Sequence, residues 1–370
     1  MSSEEAPLQY DTECFREDDE RVDQYIRSTR SKLLFILFLT IVCIISSLYS
    51  MTIYGDGMSI PRLLEVISAH ISGVEYPRLS AEWFEDIIVW DAAMPRLIFT
   101  VIAGIGLAVA GASMQSCMNN PLADPYTVGV SSGACLGLSI ALLLGFSVNN
   151  NGLGGIIIFA FLFSLLPLLA IVLLSPKTRS SPATLILAGV ALSYLFNSMN
   201  TIIMVAVDAE TLESIYSWQV GTLTQIRWDN IPFVLFAVGV GSAIILSLSK
   251  RLNLLALGDE GASSLGIDPD NLRLICLTAI AFIVGAVVGS AGVIGFIGLV
   301  TPHIVRSIIG SDNKYVLPAA SMLGITLMAI ADTACRYLDP YDNIPVGTAI
   351  SLIGAPIFLY LIMRRKSRVW

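Results

Sequence analysis

The stretch that most constrains the fold runs from Met94 to Gly133. It contains an uncharged run, 97–120, that can cross a hydrocarbon core of about 30 Å as a helix rising about 1.5 Å per residue. The run ends in Asn-Asn-Pro-Leu-Ala-Asp-Pro, and a second apolar run starts at Tyr126. Pro121 and Pro125 cannot lie inside a regular helix, and backbone groups at this depth need protein or water partners. The stretch therefore predicts a membrane helix, a tight polar corner and a second helix that returns.

Similar apolar runs recur along the chain. Charged residues make up 14% of the sequence, against about 25% in an average soluble domain, which disfavours a soluble helical protein. The predicted fold class is all-α, a polytopic membrane protein with about ten transmembrane helices. The predicted spans are 33–51, 95–117, 127–145, 153–174, 183–207, 231–249, 274–289, 293–309, 316–335 and 346–363. Between them, 59–64, 81–90 and 208–230 predict short helices that lie at the membrane surface or across a mouth.

The chain divides into an acidic tail, residues 1–30, and a membrane domain, residues 31–366. Residues 1–26 contain nine acids and two arginines, so most of the net charge of −8 belongs to the tail. This composition predicts a disordered or loosely helical segment. The first apolar run follows acidic residues and has no small-residue cleavage site, so we interpret it as a retained span.

The basic residues predict the orientation of the spans. With ten spans, one side of the membrane receives sixteen of the 21 lysines and arginines. Basic residues accumulate in cytoplasmic loops. We therefore expect a multi-pass protein of the cell membrane, surrounded by lipid, with both termini in the cytoplasm.

Several chemistries lack their sequence signals. The chain has no phosphate-binding G-x-x-x-x-G-K-[ST] loop, no nucleophile elbow and no H-E-x-x-H motif, so we predict no catalytic residues and no enzyme activity. The six cysteines are scattered without a C-x-x-C pair, which predicts no metal site and no cofactor. No basic surface interleaved with aromatic residues indicates nucleic-acid binding. The predicted midplanes lack acids, which disfavours an ion-coupled carrier.

Several spaced motifs, in one order, resemble a permease family that imports iron-siderophores, haem and cobalamin. The resemblance covers roughly residues 33 to 365. It is carried by Pro95-Arg96, the Asn120–Pro125 corner, Gly129–Gly133, Leu187–Leu192, Leu257–Glu260 with Leu265-Gly266, Gly298–Arg306, and Ile344–Gly347 with Gly354–Pro356.

The resemblance implies the permease fold of type II ATP-binding-cassette (ABC) importers. It further implies two ABC ATPase subunits, an extracytoplasmic solute-binding protein and a pathway between two copies of this chain. The cargo would be a metal chelate, with ferric siderophore, haem and cobalamin left open. An oxyanion such as molybdate is an alternative cargo, and a stand-alone secondary transporter or a structural membrane protein is an alternative class.

In the resembled family, the cytoplasmic segment matching 250–273 docks in a cleft of the ATPase. The local pattern predicts a short helix that ends at a glycine. By position, the contact would be formed by Asp259, Glu260, Ala262, Ser264, Leu265 and Gly266. An ordinary surface loop is the alternative interpretation.

The family also implies an inner gate at the polar corner and at the loop before the fifth span. The matching residues here are Asn120, Leu122, Ser180 and Ser181, although Asn120 could simply cap a helix end. Pro182 stands where the family often has a hydroxyl residue. Arg96 and Arg336, at the outward ends of spans two and nine, match arginines that pair with acids on the binding protein. Snorkelling at the interface is the alternative for both arginines.

Overall fold

The computed structural model describes residues 12–54, 57–146, 153–174, 182–339 and 344–363. Within these residues the chain forms fifteen α-helices and no strand. The helices are α1 (Thr12–Thr52), α2 (Ile60–Ile71), α3 (Ala81–Ile87), α4 (Met94–Cys117), α5 (Val130–Leu143), α6 (Leu153–Leu174), α7 (Pro182–Ala206), α8 (Ala209–Gln219), α9 (Ile231–Ser247), α10 (Ser249–Leu255), α11 (Gly258–Ser264), α12 (Pro269–Ala291), α13 (Ile297–Ile309), α14 (Asn313–Leu338) and α15 (Val346–Met363).

Ten apolar helices match the ten predicted spans. Six helical stretches in the described residues are long and apolar enough to cross a membrane, and four shorter apolar helices accompany them. The short ones lie in α5, α6, α13 and α15. The predicted fold class, an all-α polytopic membrane protein, is confirmed.

Helix α4 is the centre of the bundle. It packs against α9, α12, α13 and α14, and 19 of its 24 residues are buried. Glycine makes this close packing possible, because a Cβ added at Gly104 would lie 2.7 Å from the backbone of Ile325 in α14. Gly111 similarly meets the backbone of Gly298 in α13. Small residues at helix crossings let backbones approach closely, which is what the Gly104-x-x-x-Ala108 pattern favours.

The two ends of the bundle differ in their side chains. At one end, the last turn of α4 meets the first turn of α12, because the Arg273 Nε donates to the Cys117 carbonyl at 3.0 Å. We call this the basic end. The other end carries α2, α3 and α8, and there the Trp228 indole donates to the Trp90 carbonyl at 2.8 Å. We call it the aromatic end.

Helices α5 and α13 start later than the predicted spans at 127 and 293. A short 3-10 helix, Pro125–Val128, and Gly129 with φ of 90° precede α5. Gly292 and Phe296, both with positive φ, precede α13. Left-handed residues interrupt regular helix hydrogen bonding, so each apolar run begins with non-helical backbone.

These two non-helical segments meet inside the bundle. The Tyr126 hydroxyl, from the corner after α4, donates to the Ile294 carbonyl, before α13, at 2.8 Å. Backbone that leaves a helix inside a membrane protein must find partners within the protein. This hydrogen bond gives one exposed carbonyl such a partner and joins the two breaks.

Two predicted boundaries differ from the structure. The segment from Thr12 to residue 30 is helical and continuous with the first span, so the tail has no structural boundary at residue 30. Helix α12 begins five residues before the predicted start at 274, because Asp268 caps it and Pro269 occupies its first turn.

Candidate functional site

Helix α11, within the predicted coupling segment 250–273, projects from the basic end. Asp259, Glu260, Ser264, Leu265 and Gly266 are exposed, and Leu265 is 57% accessible to solvent. An exposed leucine among acids and hydroxyl groups makes a surface that is both apolar and charged. Of the six predicted contact residues, these five lie on a free surface in the structure.

Ala262 requires a correction. Its side chain is fully buried and belongs to the main hydrophobic cluster of the bundle. Because α11 turns about 100° per residue, the residue two positions after Glu260 faces away from it. Ala262 therefore packs α11 onto the bundle and offers no surface to a partner.

Glycines with left-handed backbone set the limits of α11. Gly258 begins the helix with φ of 83°, and Gly266 follows it with φ of 81°. The Ile267 amide donates to the Ala262 carbonyl and the Gly266 amide to the Ser263 carbonyl, which is the Schellman arrangement. The sequence predicted a short helix ending at a glycine, and the structure has one.

Arg273 connects α11 to the end of α4. Its guanidinium donates to both oxygens of Asp259, at 2.5 and 3.0 Å, while its Nε donates to the Cys117 carbonyl. The side chain is only 3% exposed. The hydrogen bonds from Arg273 lower the pKa of the Asp259 carboxyl. The ion pair is thus fully formed at neutral pH and is lost only as the pH falls towards the lowered pKa.

A second polar network lies on the other side of the same turn of α4. Arg306 in α13 donates to Ala112 O, Ser116 Oγ and Asn313 Oδ1, at 3.1, 2.9 and 3.0 Å. The Asn313 amide in turn donates to Asn253 Oδ1 of α10 at 2.9 Å. A cavity of about 740 Å³ opens beside these residues at the basic end. Sequence analysis named Arg306 only as the end of the Gly298–Arg306 motif, because its hydrogen-bond partners in α4 and α14 are distant in the chain or on another helix.

The corner after α4 carries two of the four predicted gate residues. Asn119 adopts φ of 47°, and the Asn120 amide donates to the Gln115 carbonyl, so this pair terminates α4. The Asn120 side chain accepts from the Leu122 amide at 2.9 Å. Leu122 is 48% exposed. Ser180 and Ser181, the other two gate residues, lie outside the described residues.

A second cavity, of about 460 Å³, runs along the joined helix breaks. Most of its lining is neutral: Tyr126, Ser131, Gln219, Val220, Val293, Gly295, Phe296, Leu299, Gly347, Thr348 and Ser351. Asp124 also lines it, and its carboxylate caps the 3-10 helix by accepting from the Tyr126 amide at 3.2 Å. Sequence analysis gave this acid no role in the pathway.

Arg96 and Arg336 lie at the aromatic end, and their side chains are buried. Their side chains are 6% and 5% accessible, and both pair with Asp332, at 2.7 and 2.9 Å. Arg336 also donates to Ser50 of α1 and lies over the Tyr54 ring. The docking prediction treated them as surface charges, and the structure corrects this. The i,i+4 spacing of Asp332 and Arg336 was the available sequence signal.

A cavity of about 610 Å³ opens next to this charge cluster. Arg96 contributes to its lining, together with the exposed residues Asp91, Arg227 and Asp229. Trp228 and Tyr54 line it as well. The buried cluster therefore lies behind a recess whose rim carries both signs of charge.

The described residues contain no group of three or more His, Cys, Asp or Glu side chains that could hold a metal ion. Five described cysteines are free thiols, four of them buried. The chemistry available in these regions is thus that of ion pairs, hydrogen bonds and apolar surfaces.

Comparison with known proteins gives the same pattern along nearly the whole chain. The profile of the FecCD transport family matches residues 39–364. The cobalamin import system permease of Halobacterium salinarum is 36% identical over 283 residues, 76% of this chain and 75% of the relative. The molybdate import system permease of Haemophilus influenzae is 31% identical over 334 residues, 90% and 96% of the two chains.

A solved structure supports the same fold. A metal-chelate type ABC transporter in an inward-facing conformation superposes with a TM-score of 0.78 at 30% identity. The superposition covers 89% of this chain and 99% of the other.

The buried charge cluster generates a stability prediction. Asp332→Asn keeps the side-chain shape but removes the carboxylate that two buried guanidiniums share, and breaking a buried pair costs about 3–5 kcal/mol. We expect a clear drop in the thermal unfolding temperature of the detergent-purified protein. The matched control is Glu85→Gln, which weakens the part-exposed Arg62–Glu85 pair and should cost less than about 1 kcal/mol. Equal unfolding temperatures for the two variants would contradict the importance of the cluster.

Proposed function

This chain belongs to the FecCD transport family, and we propose that it carries a metal chelate, such as a ferric siderophore, haem or cobalamin, into the cytoplasm. It is the permease subunit of an ABC importer and not an enzyme. It is a multi-pass membrane protein. ATP hydrolysis belongs to separate ATPase subunits, and an importer of this class also works with a solute-binding protein.

One observation carries the proposed mechanism. An exposed helix delimited by glycines, α11, is held by Arg273 to the helix that leads into the polar corner. We propose that Asp259, Glu260, Ser264, Leu265 and Gly266 dock on the ATPase, with Ala262 supporting them from below. Closure of two ATPases would then move α11 as a rigid element and alternately open the outer and inner mouths.

We infer the orientation of the bundle in the membrane from the distribution of its basic residues. The described helices place Arg273, Arg306 and α10 with its Lys250 and Arg251 at one end of the bundle. We propose that this basic end faces the cytoplasm, since basic residues are retained there. Both termini would then be cytoplasmic.

Two copies of the chain would enclose the pathway. In the most apolar 18 residues of α7, only 17% of the residues are buried, against 78% in the corresponding part of the stretch that contains α4. Helix α7 therefore lies at the edge of the bundle. Gly189 of α7 packs against Val128 of the corner, which brings this edge next to the cavity along the helix breaks. We propose a homodimer with this face next to its two-fold axis, because most homo-oligomers have closed symmetry.

We propose that the inner gate lies at the polar corner after α4. In the proposed dimer, Asn120 and the exposed Leu122 would narrow the inner mouth, the gate to which the family resemblance also assigns Ser180 and Ser181. A mouth of apolar and neutral polar groups suits a bulky chelate that slides past without being held. Asn120 also terminates α4, so its capping and its gate role are compatible.

The binding protein would dock at the aromatic end. The buried guanidiniums of Arg96 and Arg336 pair with Asp332, and Arg227 lies at the rim of the adjacent recess. We propose that Arg227, at the rim of the 610 Å³ recess, contacts an acid of the binding protein, and that the buried arginines Arg96 and Arg336 fix the helices behind this rim. Complementary charge of this kind mainly speeds and orients association.

The relatives' names do not identify the cargo, because they include both a cobalamin and a molybdate system. We therefore infer the cargo from the chemistry of the cavity lining. An oxyanion is therefore the second candidate. The lining of the helix-break cavity favours the chelate, because its residues are mostly neutral and none of them is a cation that would bind a small oxyanion.

The ATPase contact is tested by Glu260→Arg. Glu260 is exposed, so the variant should insert and fold normally. We expect its affinity for the cognate ATPase, and ATP-driven uptake in proteoliposomes, to fall about tenfold, because like charges across an interface are repulsive. Glu210→Arg, the same change on α8 at the opposite end, should alter neither. Normal uptake by the Glu260 variant would refute the docking assignment.

Docking of the binding protein is tested at the rim. Arg227→Glu should slow association of the cognate binding protein with the nanodisc-embedded transporter about two- to five-fold at low salt, and less at high salt. Arg78→Glu removes another exposed cation outside the recess and serves as the control. An unchanged rate, or an equal effect of both variants, would remove the recess from the docking surface.

The cargo is tested with the cognate binding protein, since selectivity resides in the subunit that captures the ligand. Titration calorimetry with ferric siderophores, haemin, cobalamin and molybdate should detect binding of one of the chelates. Binding of molybdate alone would overturn the chelate proposal in favour of the oxyanion.

A further inference from the structure

The coupling segment is fastened to one turn of one helix. The last turn of α4, residues 112–117, receives hydrogen bonds from Arg273 on one side and from the Arg306–Asn313 network on the other. Each side leads back to the coupling segment, through Asp259 of α11 and through Asn253 of α10. In the described residues, these hydrogen bonds link the end of α4 to both short helices of the coupling segment, to α11 through Arg273 and to α10 through Asn313.

The chemistry of this turn explains why an arginine suits it. The last four carbonyls of a helix have no partner within the helix, and the helix dipole makes that end negative. The Arg273 Nε satisfies the Cys117 carbonyl, and its two terminal nitrogens remain free to form the paired contact with Asp259. A planar guanidinium can hold both partners at once, whereas a lysine offers a single point charge.

The gate lies immediately after this turn. Cys117 is followed by Met118, Asn119 and Asn120, and the Asn120 amide is bonded back to Gln115 within the turn. These residues therefore move with the end of α4. A displacement of α11 must either break the Arg273 contacts or carry the last turn of α4 with it.

We propose that Arg273 is the positioning residue that transmits movement of α11 to the inner gate, with the Asn253–Asn313 contact as a parallel tie through α10. This inference rests on the proposed docking of α11 on the ATPase. In a purely structural role, Arg273 would hold α11 in place, and its loss would reduce the movement of α11 itself. In the proposed role, α11 still moves when Arg273 is lost, but the inner gate no longer follows it.

The test measures both movements in the complete complex. Nitroxide labels are placed either at Asn119→Cys or at Ser263→Cys, an exposed position of α11, with Cys14 and Cys135 replaced by serine; Cys43, Cys117, Cys276 and Cys335 are buried. Distances between the two copies are measured by pulsed electron paramagnetic resonance in nanodiscs with the cognate ATPase, with and without ATP and vanadate.

We expect both distances to change on nucleotide trapping in the unmodified chain. In Arg273→Gln, the change at residue 263 should persist while the change at residue 119 falls below half. Arg273→Lys should lie between the two. Arg251→Gln, the same change at an exposed arginine of α10, should leave both movements intact.

A full change at residue 119 in Arg273→Gln would overturn the inference, and so would parallel loss at both positions. If that variant does not assemble, Asp259→Asn breaks the same link from the other side and is judged by the same two results. If the distance at residue 263 does not change on nucleotide trapping in the unmodified chain, the docking of α11 on the ATPase is refuted. This failure of the proposed function is distinct from a failure of the transmission through Arg273.

Discussion

The close approach of α4 to its neighbours is the constraint on which the rest of the structure depends. In lipid, apolar surface does not drive helices together as it does in water, so association relies on packing. Gly104 and Gly111 let the backbones of α14 and α13 come into contact with α4. Buried on nearly every face, α4 is a fixed axis, and both its ends can be used to position charged and polar groups.

Those two ends illustrate different uses of buried charge. At the aromatic end, Asp332 balances part of the charge of two arginines and ties α1, α4 and α14 together. At the basic end, Arg273 and Arg306 donate to carbonyls where α4 ends, and Arg273 also pairs with Asp259. The first cluster locks helices against one another. The second joins a helix end to two short helices, α10 and α11.

Sequence predicted the apolar helices and the glycine-limited surface helix well, because both depend on local patterns: the length of uncharged runs and the position of glycine. It failed where partners are distant in the chain. Arg96 and Asp332 are 236 residues apart, so their pairing, and the burial of both arginines, could not be read from spacing. The late starts of α5 and α13 were missed for a related reason: the Tyr126–Ile294 hydrogen bond supports non-helical backbone that looks, by composition, like the beginning of a span.

The separation of Arg96 from Asp332 has a consequence for how the protein is made. Ribosomes deliver α4 to the membrane long before α14 exists, so the guanidinium must wait at the bilayer surface without its carboxylate. The triad of Arg96, Asp332 and Arg336 can form only after α14, the penultimate span, has been made, so the packing of α1 and α4 at the aromatic end is completed late in synthesis.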